Sequence, residues 1–329
     1  MQWLLRAISV AILATIQGDS FVATAVGSNG SKPSVFSSRT ALVASSAQQR
    51  FRNHHATTTS TTTTTITMAA TIVGGGRIGC ALHDMGGDKD TLVGRGDVIP
   101  DGDGPIYVCT RNDDLEDVIS RTPPARREDL VFLQNGVLGR LLEKHGLAKN
   151  TQALIYFAVS KKREAPIDGV TDANPEGLTS TCGKWAGEFK ERLAKGGLTC
   201  HELPEDRYTA RMYEKHIWIC AFMVVGAAHK CTMGEVDSDH SDEVRALIGE
   251  MQAAIEEEHG VVFEEGVKDR LCAYSRSVAH YPAAVKEFSW RNGFFWDVSE
   301  KCRSEGKDDP CPLHTKLLRD VADEQGLSL

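Results

Sequence analysis

Six residues, Gly74-Gly75-Gly76-Arg77-Ile78-Gly79, carry the spacing G-x-G-x-x-G. They follow the apolar run Thr71-Ile72-Val73 and open a helical pattern. In that context the first glycine makes a tight turn. The second lets the backbone approach a pyrophosphate, and the third lets the helix pack on the strand. Free N–H groups at the helix start then hold phosphate oxygens. Gly74, Gly75, Gly76, Arg77, Ile78 and Gly79 are therefore the expected dinucleotide loop. Arg95 closes the next apolar run, 21 residues after Gly74. A guanidinium there suits a 2′-phosphate, which favours NADP. Asp97 is the competing reading, because an acid at that place bonds the ribose 2′-OH of NAD. A second kind of chemistry is offered by Lys215, in the segment Glu214-Lys215-His216-Ile217-Trp218-Ile219. A lysine among apolar neighbours loses solvation, which lowers its pKa and suits it to proton transfer near neutral pH. His201, His216 and His229 show no metal-ligand spacing with Cys or Asp, and no metal site is expected. His280-Tyr281 reads as interfacial packing.

The elements that must hold these residues fall into two halves. From Ala69 to about Glu205, short apolar runs alternate with amphipathic stretches. The runs are Ala70–Val73, Thr91–Val93, Ile106–Cys109, Leu130–Leu133 and Ala153–Val159; Asp113–Ile119 and Leu138–Lys144 lie between. Alternating strands and helices imply βαβ units and a mostly parallel sheet. From about Arg207 the strand signal gives way to long helical patterns at Tyr208–His229, Ser241–His259 and Gly266–Lys286. The expected fold is thus α/β. An N-terminal Rossmann-type parallel-sheet domain over residues 69–205 precedes an all-helical substrate and dimerisation domain over 206–303. A polar tail, 304–329, is expected to be peripheral.

The remaining signals carry a resemblance. Gln134-Asn135-Gly136-Val137-Leu138-Gly139 is a strand running into N-G-x-x-G. Gly234-Glu235-Val236 comes 19 residues after Lys215, and Ser275 and Glu287 sit twelve apart on one helical pattern. With the glycine loop and the lysine just after the domain junction, this combination resembles the ketopantoate reductase family over about residues 70–300. The resemblance implies a reductase that takes hydride from NADPH. It implies that Lys215 gives a proton to the carbonyl oxygen of a 2-oxo acid. Glu287 would bind the substrate hydroxyl and orient the lysine, and Ser275 would hold the substrate carboxylate. Asn135 would touch both cofactor and substrate. Arg95 matches the 2′-phosphate arginine, and Arg111 stands near the family's lysine after the third strand. Two positions depart from the pattern: the family has asparagines where Ile219 and Met233 stand. Losing two amides argues against ketopantoate itself and points to a less polar acyl part. A non-catalytic NADP-binding protein that kept the fold is the alternative.

Composition sets the outer limits. The chain has 329 residues and a formal charge of −8. The first 68 residues hold five basic residues and one acid, a local +4, which leaves −12 for the remainder. So acidic a body offers no footprint for nucleic acid. The expected ligand is a small molecule. Residues 1–26 look like a signal segment, with Arg6 before the apolar stretch Ala7–Ile16. Phe21–Ala70 contains no Asp or Glu and is rich in Ser and Thr, the composition of an organelle transit peptide. Residues 1–68 therefore read as a leader outside the fold, directed to a plastid. A mitochondrion, or the cytoplasm with translation starting at Met68, are the alternatives. No membrane contact is expected after leader removal. Nine scattered cysteines with no Cys-x-x-Cys pair read as reduced thiols. The aromatic cluster Phe288, Trp290, Phe294, Phe295 and Trp296 reads as core or as the surface of a homodimer.

Overall fold

The computed structural model describes Met68–Leu329. The leader expected over residues 1–68 lies, up to residue 67, outside the described residues. Seven strands form one sheet: β1 (Thr71–Val73), β2 (Thr91–Val93), β3 (Ile106–Val108), β4 (Leu130–Phe132), β5 (Thr151–Leu154), β6 (Ser180–Cys182) and β7 (His201–Glu202). Their order is β2-β1-β3-β4-β5-β6-β7, and only the β5–β6 pair is antiparallel. Because β1 pairs with both β2 and β3, the chain reverses its direction of travel across the sheet between β1 and β3. Open α/β sheets bind ligands at such a switch point, outside the carboxyl ends of the strands.

The central strands β1, β3 and β4 are buried on both sides, as parallel sheets are. Side chains alternate between the faces. Ile72, Tyr107 and Val131 lie in register and pack with Leu82 of α1 (Arg77–Asp84) and Phe189 of α4 (Ala186–Lys195). Val73, Val108 and Phe132 belong to the opposite cluster. It includes Leu115 and Val118 of α2 (Leu115–Arg121) and Leu141 of α3 (Gly139–Lys144). Arg192 of α4 is fully buried. It donates to the Leu82 carbonyl at 2.8 Å and pairs with Asp90, whose Oδ1 accepts the Ala70 N–H at 2.8 Å. This clamp fixes α1, α4 and the start of β1 to one another.

The helical part begins with α5 (Glu205–His229), 25 residues and so about 37 Å long. It is buried almost without interruption from Tyr213 to Ala227. Around it stand α6 (Met233–Asp239), α7 (Ser241–His259), α8 (Val267–Ser277), α9 (Asn292–Ser304) and α10 (Pro312–Gln325). Three expectations are corrected here. The tail is not peripheral: Leu317, Leu318 and Val321 of α10 are buried in the same core as α5. Pro312 starts that helix, where its missing N–H costs nothing, and the apolar spacing does the rest. The third long helix ends at Ser277 instead of continuing to Lys286. Residues 279–282 turn back to meet α6, with Met233 N–H on the Tyr281 carbonyl and Gly234 N–H on that of Ala279, both at 3.0 Å. Pro282, in an isolated bridge with Thr232, cannot extend a helix. Last, β6, β7 and α4 add to the five strands legible in the sequence, and β6 brings the antiparallel step.

Candidate functional site

The glycine loop joins β1 to α1. Gly74 has φ +107°, and a Cβ there would lie 2.7 Å from the Cys109 carbonyl oxygen. A Cβ on Gly79 would lie 1.8 Å from the carbonyl oxygen of Gly74, so only glycine lets α1 pack on the turn. At Gly76, the N-cap of α1, nothing lies within 4 Å of a Cβ, so this end of the helix faces open space. No acidic residue stands in its first turn and no side chain caps it. Its N–H groups are therefore left for an external anion. Beside the loop is a cavity of about 270 Å³, at the β1/β3 switch point, lined among others by Gly74, Gly75, Arg95, Thr110 and Arg111. The buried hydroxyl of Thr110 has no partner there. These features fit a dinucleotide. Of the remaining loop residues, Arg77 donates to the Ser160 carbonyl at 3.3 Å, and Ile78 packs into the sheet core. Lys162, missed in the sequence, reaches to 4.0 Å from the Cβ position of Gly75. Its signal, one of two lysines in the run Ser160–Arg163, does not differ from a solvated loop.

At the far end of the cavity Arg95 is 86% exposed and only loosely paired with Asp114, at 3.5 Å. Asp97 is turned away: its Oδ2 accepts the Gly94 N–H at 2.9 Å, and its carbonyl accepts Arg121 at 2.5 Å. The acid that would bond a ribose hydroxyl is thus engaged in its own turn, while Arg95 and Arg111 face the cavity.

A second, narrower cleft follows along the same sheet edge. Phe132, Asn135, Gly136, Lys215, His216 and Ile219 are among its walls. Gln134 ties it to the first cavity by donating to the Val108 carbonyl at 2.8 Å and to that of Thr110 at 3.2 Å. Asn112 braces the turn by donating to the Asn135 carbonyl at 2.8 Å. Gly136 has φ +112°, and a Cβ there would lie 2.4 Å from the Trp290 carbonyl oxygen, so residues 290–291 press against this turn. Lys215 is 4% exposed. Its Nζ donates to the carbonyl of Ile155 and lies 4.4 Å from the Tyr156 ring centroid. Burial first, and then the positive charge of Arg291, push its pKa down to about 7. His216 is buried against Phe295, with ring centroids 5.5 Å apart, and burial pushes it down to about 3, so it is neutral. Ile219 gives the cleft an apolar wall, whereas Met233 is fully buried in the helical core.

Two expected substrate residues stand elsewhere. Ser275 is fully buried and its Oγ accepts the Trp218 indole N–H at 2.7 Å, so it is a core hydroxyl and not a carboxylate ligand in this arrangement. Glu287 is not on the helix of Ser275. It has φ +46°, ahead of a short 3₁₀ turn, and its carboxylate accepts a hydrogen bond from Arg291. The structure thus joins Lys215 and Asn135 in one cleft, with Glu287 paired to Arg291 instead of Lys215. Gly234-Glu235 is architectural: Gly234 lies where a Cβ would meet Ala279 at 2.8 Å, and Glu235 forms a capping box with Thr232.

No family model and no curated protein matches the sequence. The fold does have solved counterparts. A PanE/ApbA family ketopantoate reductase from Ralstonia eutropha has a TM-score of 0.58 at 16% identity, over 79% of this chain and 100% of that one. A 2-dehydropantoate 2-reductase from Methylococcus capsulatus has a TM-score of 0.58 at 12% identity, over 80% and 99%. D-mandelate dehydrogenase with NADH and anilino(oxo)acetate has a TM-score of 0.56 at 16% identity, over 79% and 100%. The Rossmann-type sheet followed by a helical region is the fold these proteins share with this chain.

Proposed function

We propose that this protein is an NADPH-dependent reductase of a 2-oxo acid or related carbonyl, with Lys215 as the proton donor. The observation that carries the reading is a buried lysine, held near neutral pKa, in a cleft whose wall residue Gln134 hydrogen-bonds to Thr110 in the wall of the glycine-loop cavity. The broader assignment, an NAD(P)-dependent oxidoreductase, is supported by the fold shared with ketopantoate reductases and with a mandelate dehydrogenase that holds NADH.

The glycine-loop N–H groups and the α1 N-terminus take the pyrophosphate, and Arg95 takes the 2′-phosphate as a planar fork of donors. Bound there, the nicotinamide supplies the hydride. Lys215 in its ammonium form donates a proton from Nζ to the carbonyl oxygen. Asn135, one wall away, positions the substrate. With Ser275 engaged by Trp218, Arg291 is the cation left for the substrate carboxylate, and its buried Nε has no partner. Glu287 then orients Arg291. Ile219 makes the acyl side of the cleft apolar, so ketopantoate itself is a poor substrate and a less polar 2-oxo acid is preferred.

A panel of 2-oxo acids, followed by NADPH absorbance, tests the reading. Positioned acid catalysis contributes about 10²–10⁴-fold, so Lys215→Ala lowers kcat by about that factor and leaves the NADPH Kd unchanged. Full activity in that variant overturns the mechanism. The narrowness of the second cleft, about 10 Å³, favours one other reading, an NADP-binding protein without turnover. NADPH binding with no oxidation across the whole panel selects it.

A further inference from the structure

Three ligand-type side chains meet at a corner of the helical part, away from the cleft. His229 is the last residue of α5. His240 sits between α6 and α7, and Glu243 lies in the first turn of α7. The His229 Nε2 is 2.6 Å from the Glu243 Oε2. The two imidazole rings face each other with centroids 3.7 Å apart and planes within 14°. One ligand atom from each residue falls within 4.8 Å of the other two. Among the described residues no other group of His, Cys, Asp and Glu meets in this way.

We propose that His229, His240 and Glu243 form a zinc-binding site. Two imidazole nitrogens and one carboxylate oxygen are the borderline donors that Zn²⁺ takes, with a fourth position left to water. Bonds of about 2.0–2.2 Å in a tetrahedron place ligand atoms roughly 3.3–3.4 Å apart. The widest separation, up to 4.8 Å, closes by up to about 1.4 Å and the 2.6 Å His229–Glu243 contact opens by about 0.7 Å, which side-chain rotation at a partly exposed corner supplies. His240 and Glu243 are three apart at the start of α7, hence on one face of that helix. The neighbouring cations do not compete for the carboxylate. Lys230 is paired with Glu324 at 3.0 Å, and Lys316 with Asp320 at 2.7 Å. Binding ties the end of α5 to the start of α7. The site stands fourteen residues beyond Lys215 on α5, about 21 Å along the axis. It therefore braces the helical core and takes no part in hydride transfer. Along the chain it is hidden because α6 separates His229 from His240.

The full chain, stripped with a chelator, is titrated with ZnCl₂ by calorimetry and by thermal unfolding, beside His240→Ala and Glu243→Gln. Zinc raises the Tm of the parent protein by several degrees, whereas MgCl₂ does not, because Mg²⁺ demands oxygen ligands. Each variant folds, loses that rise and binds zinc at least tenfold more weakly. Residual binding by thiols or by His54-His55 is shared by all three proteins and cancels in the comparison. No rise with zinc in the parent protein, an equal rise with magnesium, or a rise kept by both variants overturns the site. None of these outcomes bears on NADPH oxidation.

Discussion

Lys215 keeps its proton only below about pH 7, since burial and the nearby Arg291 disfavour the ammonium. A reduction that draws on that proton loses rate as pH rises. The expected kcat/KM profile is therefore level below about pH 7 and falls tenfold per unit above it. Arg291→Ala removes a like charge, so the inflection moves to higher pH while KM for the 2-oxo acid rises. A profile with no inflection between pH 6 and 9 contradicts the role of Lys215. At the other end of the site, Arg95→Ala should weaken NADPH by about tenfold or more, the size of a charged hydrogen-bonded contact, and leave NADH unchanged. Calorimetric titration with both nucleotides decides it, and an unaltered NADPH Kd refutes the assignment. The placement of Gly74 to Gly79, Arg95, Asn135 and Lys215 along the two cavities was legible in the sequence because each depends on near neighbours: a strand before, a helix after, apolar residues alongside. Ser275 was not, because its hydroxyl is engaged by Trp218, 57 residues away.

Among the elements, the two longest helices were read nearly to the residue, and the third was read too long. Its apolar pattern runs on past Ser277, but the backbone N–H groups of Met233 and Gly234 capture the carbonyls of Tyr281 and Ala279, and Pro282 bars continuation. That competition is tertiary and leaves no periodic trace. For the same reason the short polar strands β6 and β7 escaped notice, since β6 is a strand by virtue of β5 beside it and β7 by virtue of β6. The last helix was underrated too. Leu318 of α10 is fully buried. Leu318→Ala should destabilise the fold by about 2–5 kcal/mol, read as a lower denaturation midpoint at unchanged m-value. A loss below about 0.5 kcal/mol, the range of surface substitutions, would return α10 to the periphery. In α1, Gly79→Ala places a methyl onto the Gly74 carbonyl and should abolish measurable nucleotide binding.

At the scale of the molecule, the site is made where a sheet edge meets one long helix. The sequence showed both partners, but not that α5 lies against β6. The acid-poor leader composition leads to a proposal of its own, that residues 1–67 serve delivery to a plastid and not folding. Protein starting at Met68 should match the full chain in Tm within about a degree and in NADPH Kd within about twofold. A drop of several degrees contradicts that division of labour. Fusion of residues 1–68 to a fluorescent reporter tests the destination.

The hydrogen bond from Lys215 to the Ile155 carbonyl has a further consequence. In the proposed reaction a ketone oxygen must take over the part this peptide oxygen plays, so the protein carries its own placeholder. An arriving substrate competes with an intramolecular acceptor that is always present at high local concentration. Its apparent affinity is lowered by the fraction of time the amine spends on Ile155. A ketone oxygen is a weaker acceptor than an amide oxygen, so the substrate's other contacts have to drive the exchange. The contact that lets a lysine fold away from water thus also filters what the lysine will serve.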